Sequence, residues 1–215
     1  VVNRSIAVVV MLLLAASGAW AAPSLFGPTG LMVIPSAEVV GMAGVNGQWA
    51  QISFDSADET IVSANVGPLP KLEVGAAHLE VDHGGSETII NAKYQVLRPP
   101  LIDTAISAGV IDITDEIDVS PYLVLTHTLG VGYFPTQSGL SNPQVHIGIG
   151  GGMLSGLFLG ASVTVLDKLE LMAEYDTEDL NIGARLPLTS WLVVTAAGLD
   201  GLDDFAVAVA AQTPF

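Results

Sequence analysis

Residues 169–186 read LELMAEYDTEDLNIGARL, and this stretch decides the fold. In Leu169–Asp176 one parity is Leu169, Leu171, Ala173 and Tyr175, and the other is Glu170, Met172, Glu174 and Asp176. In Leu180–Leu186 the apolar parity is Leu180, Ile182, Ala184 and Leu186, against Asn181, Gly183 and Arg185. A period of two marks strands with one face in an apolar medium and one in water. The segment that follows repeats it, with Phe205, Val207, Val209 and Ala211 on one face and only Ala206, Ala208 and Ala210 on the other.

Working outward, about twelve such segments follow one another from Gly47 to the end. They are Gln48–Phe54, Thr60–Val66, Leu72–Val81, Glu87–Leu97, Thr104–Ile111, Val119–Leu129, Gln144–Gly150, Leu157–Leu166, Leu169–Asp176, Leu180–Leu186, Trp191–Gly198 and Phe205–Ala211. The separators carry turn chemistry, as in Asp82-His83-Gly84-Gly85-Ser86 and Arg98-Pro99-Pro100. Strands of roughly nine residues tilted by about 40° span roughly 23 Å, close to the apolar band of an outer-membrane barrel. The expectation is an all-β fold: an antiparallel transmembrane β-barrel of about twelve strands over residues 47–215. The last strand, which ends on Phe215, resembles the C-terminal signal by which outer-membrane barrels engage their assembly machinery.

Composition agrees. Half of the 215 residues are hydrophobic, 13% are charged, and mean hydropathy is +0.58. That is apolar for a soluble domain and too interrupted for a bundle of membrane helices. Formal charge is −16 with six Lys and Arg, which excludes nucleic acid as a partner held through phosphates. There is no Cys, hence no disulfide and no lipid-bearing cysteine. Arg4, the apolar run Ile6–Ala16 and Ala-Trp-Ala-Ala at 19–22 read as a cleaved signal peptide over 1–22, cut after Ala21 or Ala22. Residues 23–46, punctuated by Gly and Pro, read as an entry segment packed against the barrel or inside its mouth. The rival to the strands is a membrane helix over Gly148–Leu166, a stretch without charge; its glycines, Ser155, Ser162 and Thr164 weigh against it.

Placing the last strand toward the periplasm and counting backward sorts the turns. Asp58, Glu59, Asp82, Asp112, Asp115, Glu116, Asp118, Glu178, Asp179, Asp200, Asp203 and Asp204 fall outside, while Lys71, Arg98 and Lys168 fall inside. The acidic rim reads first as solubility. It also allows divalent cations, with Asp112, Asp115, Glu116 and Asp118 as weak ligand candidates. A negative mouth favours cations and repels acidic polymers. Polar residues expected to face the lumen are Asn91, Lys93, Gln95, Glu170, Glu174 and Arg185. Pairing Asp176 with Asn181 puts Arg185 diagonal to both glutamates, as a Glu–Arg–Glu ladder that fills the lumen or constricts it. His78, His83, His127 and His146, with Ser63, Ser107 and Ser162, form no recognisable catalytic or metal-binding pattern. No cofactor is called for.

Two short motifs carry a resemblance. Gly27-Pro28-Thr29-Gly30-Leu31 with Pro35-Ser36-Ala37 resembles the opening of YjbH-type outer-membrane proteins, and Ala173-Glu174-Tyr175-Asp176 with Asn181 and Gly183 is similar to their repeated hairpin. The resemblance implies a β-barrel in the outer membrane of a diderm bacterium, associated with exopolysaccharide production. It carries over no catalytic residue. The function expected is a passive pore or a structural barrel of the cell envelope, not an enzyme. Its expected partners are outer-membrane lipid, the assembly machinery, and polysaccharide or divalent cations. An outer-membrane barrel enzyme acting on lipid or peptide and a secreted soluble β-protein are the alternatives.

Overall fold

The computed structural model describes residues 21–54, 58–82, 84–98, 103–130 and 139–213. The signal peptide proper, His83 and Phe215 lie outside the described residues. Twelve antiparallel strands close on themselves: β1 Val45–Ser53, β2 Asp58–Leu69, β3 Leu72–Val81, β4 Ser86–Leu97, β5 Thr104–Ile111, β6 Ser120–Thr128, β7 Leu140–Gly150, β8 Gly156–Val165, β9 Leu169–Tyr175, β10 Leu180–Pro187, β11 Leu192–Leu199 and β12 Asp204–Gln212. Each strand pairs with its neighbours in sequence, and β1 pairs with β12 from Asn46–Gln212 to Ser53–Phe205. Closure leaves no sheet edge, so every strand's amide ladder is satisfied without water.

The expected alternation sets the two faces. Leu171, Tyr175, Leu180, Ile182 and Leu186 point outward and are exposed, while Met172, Glu174, Asn181 and Arg185 are buried inside. The outer face carries a belt that includes Trp49, Val62, Ile90, Tyr94, Leu123, Ile147 and Leu159. This inverts a soluble β-protein, whose apolar faces turn in. Gly148–Leu166 is not a helix: β7 runs to Gly150, a 3-10 turn covers Gly152–Leu154, and β8 begins at Gly156. Phe158 packs over Gly148 on the neighbouring strand, where no side chain stands in its way. Before Pro143, β7 continues to Leu140 through a bulge at Ser141–Gln144, with Asn142 at positive φ.

Even strand number puts the start of β1 and the end of β12 on one rim, the terminal rim. Lys71, Arg98 and Lys168 lie there; the other rim, the mouth, has acidic loops and no Lys or Arg among the described residues. Residues 21–44 form no strand of the barrel; residues 21–40 lie within it, and Met42 and Ala43 are exposed at its rim. Leu25, Leu31, Met32, Ile34, Ala37 and Val40 are all buried, and all but Val40 belong to one cluster with inward residues such as Ile61, Ala77, Ile89, Phe158 and Met172.

Substituting Leu171 or Leu159 by Arg puts a cation in the outer belt. It is expected to cost about 2–4 kcal/mol near the belt's middle. Urea titration of the protein folded into lipid vesicles checks this. An unchanged midpoint for both variants would remove the lipid-facing assignment.

Candidate functional site: the plugged lumen

The wall of the barrel reads the main chain of residues 21–40. On the β1–β5 side, Asn46 donates to Ala21 O, Gln48 to Ser24 O, Asn65 to Gly27 O and Asn91 to Phe26 O. Gln95 and Ser107 both donate to Ala37 O, at 2.9 and 2.7 Å. The acceptors mirror this. Glu73 takes the Thr29 N–H at 2.8 Å, the Thr29 hydroxyl at 2.6 Å and the Val40 N–H at 2.8 Å. Thr126 Oγ1 accepts the Ala37 N–H, and on the opposite wall Glu174 accepts the N–H groups of Met32 and Val33 at 3.1 and 2.6 Å.

Two cations complete the set. Lys93 Nζ lies 3.3 Å from Glu73 and donates to Thr29 O and Ser36 O. Arg185 lies 3.2 Å from Glu170 and donates through Nη2 to Gly30 O and Leu31 O, at 3.1 and 2.9 Å. Lys93 and Glu73 are 1% and 2% exposed, so neither charge is solvated and each needs the other. The plug therefore enters beside Asn46, crosses the lumen between these two ion pairs, and returns to the terminal rim, where Glu38 pairs with Arg98. Small residues give it room. Met32 occupies the space a side chain at Gly183 would need, and Ile34 and Leu31 that of Gly160. The remaining gap between plug and the β11–β12 wall is about 10 Å³.

Asn91, Lys93, Gln95, Glu174 and Arg185 are all buried inward, and Glu170 is half-buried beside Arg185. The expected Glu–Arg–Glu ladder is corrected. β9 and β10 pair two residues away from the anticipated register: Arg185 faces Glu170 directly, and Glu174 faces Asn181. The cause is Asp176. Its carboxylate accepts the N–H groups of Glu178 and Asp179, so it opens the turn and does not extend the strand. Glu174 thus serves plug N–H groups and forms no ion pair among the described residues. Reasoning from sequence missed Glu73, Asn46, Gln48, Asn65 and Thr126. Glu73 carried a signal: it is the lone charge on an inward parity otherwise made of Gly75, Ala77 and Leu79.

The cation candidates are also corrected. Asp112 is fully buried and spends its carboxylate on its own loop, accepting from Thr114 Oγ1 and the N–H groups of Glu116, Ile117 and Asp118. Burial acts to raise its pKa, but the Ile117 N–H and its companions outweigh that and hold it below the usual carboxylate value. Asp115, Glu116 and Asp118 do not join it around a cation, and no metal-holding cluster of three such groups occurs among the described residues. His78 bonds Thr88, His127 bonds Thr104 and His146 bonds Thr126; Ser107 bonds Ala37 O. Among the described residues these three histidines bond threonines, not serines.

Above the plug, the mouth holds a cavity of about 480 Å³. Its floor is Leu25, Phe26 and Val33, and its walls include Asp176, Glu178, Asp179, Asp200 and Asp204. The Asp179 pKa is raised, first by its hydrogen bond with the Asp200 carboxyl, then by a little desolvation and by repulsion from Asp200, Asp176 and Glu178.

A closed antiparallel barrel with an apolar belt outside and a polar lumen inside defines an outer-membrane β-barrel. No family model matches the chain, and no curated protein matches it. Solved structures do. The KdgM porin superposes with a TM-score of 0.51 at 12% identity, over 79% of this chain and 99% of that one. The KdgM porin in complex with disordered oligogalacturonate gives 0.50 at 11%, over 80% and 99%. The outer-membrane protein Omp33 of Acinetobacter baumannii gives 0.48 at 10%, over 80% and 97%. The chain thus has the fold of outer-membrane porins.

Glu73→Gln leaves the Lys93 ammonium buried without its counter-charge, a change expected to cost about 3–5 kcal/mol. Adding Lys93→Met removes the stranded charge and restores most of that. Urea unfolding of the two single variants and the double variant in detergent checks the coupling; additive losses would refute it.

Proposed function

We propose that the protein is a passive, non-enzymatic barrel of the outer membrane, closed at rest by its own residues 23–40 and opened when that segment moves. The observation that carries this is the anchoring of the plug. It is held through main-chain hydrogen bonds to wall side chains, not by continuing the sheet, so it can leave without breaking a strand. Wall groups released by the plug would be taken up by water, and each exchanged hydrogen bond has a net worth of only about 0.5–1.5 kcal/mol.

The YjbH resemblance supports a role in cell-envelope or exopolysaccharide export, and the KdgM complex shows that a neighbour of this fold accommodates a sugar polymer. A polysaccharide is accordingly the partner class we propose, with outer-membrane lipid around the belt and the assembly machinery at the C-terminal strand. Residues 1–22 fit a signal peptide removed on export. A permanently structural barrel is the second reading, favoured by the buried Glu73–Lys93 pair that clamps the plug.

Planar-bilayer recording of the refolded mature protein, residues 23–215, separates the two. The native protein is expected to rest closed, with rare openings. Glu73→Gln with Lys93→Met, a charge-neutral change, is expected to raise open probability at least about tenfold, since losing 1.4 kcal/mol of anchoring suffices. Heat-modifiable gel migration verifies that the barrel is folded. A folded variant as silent as the native chain would favour the structural barrel.

A further inference from the structure

The pore reading leaves open what such a pore would pass, and the lumen's charges bear on that. We infer that the pathway freed by the plug selects cations and turns away polyanions, with Glu174 as its selectivity-determining side chain. This rests on the plugged-pore reading. Inside the barrel, Glu73 has Lys93 and Glu170 has Arg185 at contact distance. Glu174, 2% exposed, has neither; its partners are two plug N–H groups and the Asn181 amide. When the plug leaves, Glu174 loses both N–H partners and becomes the uncompensated charge of the lumen.

It does not stand alone. The Asn181 amide also donates to Asp176 at 2.7 Å, which joins Glu174 to the wall of the mouth cavity. Asp179, Asp200 and Asp204 line the same cavity, with no Lys or Arg among its lining residues. Carboxylates therefore run from the mouth down to the plug along one wall, between low-dielectric strands that focus their field. Ion-pair partners that could cancel it, Lys93 and Arg185, are already engaged. A polyanion such as oligogalacturonate would meet this row first; a hydrated cation, a polyamine or an uncharged sugar would not be repelled.

The test uses the refolded mature protein, residues 23–215, in planar bilayers under a KCl gradient, on the charge-neutral background Glu73→Gln with Lys93→Met. Glu170→Gln with Arg185→Met, equally neutral, replaces it if heat-modifiable migration shows no folded barrel. The reversal potential is expected to report K+ over Cl− permeability on the order of tenfold. Adding Glu174→Gln should bring the ratio most of the way to one, and Asp179→Asn with Asp200→Asn the remainder. Spermine should reduce the current, and oligogalacturonate should leave it unchanged. A current that prefers Cl−, or a cation preference unmoved by Glu174→Gln, overturns the inference and leaves the plugged pore standing. Folded barrels without current on both backgrounds overturn the pore reading and this inference together.

Discussion

A main chain that crosses the inside of a barrel without joining its sheet must find a partner for each of its amide and carbonyl groups. That requirement organises the interior. Residues 21–40 meet part of it among themselves, through six main-chain bonds that include Ser24 N–H to Pro28 O and Leu25 N–H to Met32 O. Wall side chains meet much of the remainder. Asn, Gln, Lys and Arg supply donors for carbonyls; Glu73, Glu174 and Thr126 supply acceptors for N–H groups. Leaving such groups unpaired would cost about 1–3 kcal/mol each, so the inward residues are fixed by the path of the plug. The wall reads backbone, and the plug's side chains are free to be small or apolar.

The same requirement explains why charge is tolerated in a dry place. Glu73 accepts three plug or hydroxyl donors besides Lys93, and Arg185 donates to two carbonyls besides Glu170. Buried ion pairs barely offset their desolvation unless their remaining donors and acceptors are also satisfied. Here the plug satisfies them. Plug and ion pairs therefore depend on each other: removing the plug hydrates the pairs, and removing a pair strands the plug.

Much of this architecture was legible because a membrane barrel writes its two faces into alternate residues. The parity of 169–186 places Leu171 and Ile182 outside and Glu174 and Arg185 inside, with no knowledge of tertiary contacts. Register was less legible. Asp176 could extend β9 or open its turn, and its side-chain bonds to Glu178 and Asp179 N–H decide for the turn. That choice moves Arg185 from beside Glu174 to opposite Glu170. The path of residues 21–40 was least legible. Their partners are scattered over β1 to β6, β9 and β10, so no local period records them. The scattered inward polar residues are the trace that the plug leaves in the sequence.

The β11–β12 wall bears on whether the plugged form is the resting one. Its inward residues include Ala197, Ala206, Ala208 and Ala210, and Leu25, Leu31 and Met32 face Ala197, Ala206 and Ala208. A lumen permanently full of water has no use for an apolar wall, whereas a plug with leucines and a methionine does. Larger wall residues would leave it no room; polar ones would be unpaired against it. Alanine also limits the cost of wetting, because each exposes little apolar area when the plug departs. The polar wall around Glu73, Lys93 and Asn91 and the alanine wall of β11–β12 thus divide the labour. One holds the backbone of the plug by direction, and the other fits its apolar side chains by shape.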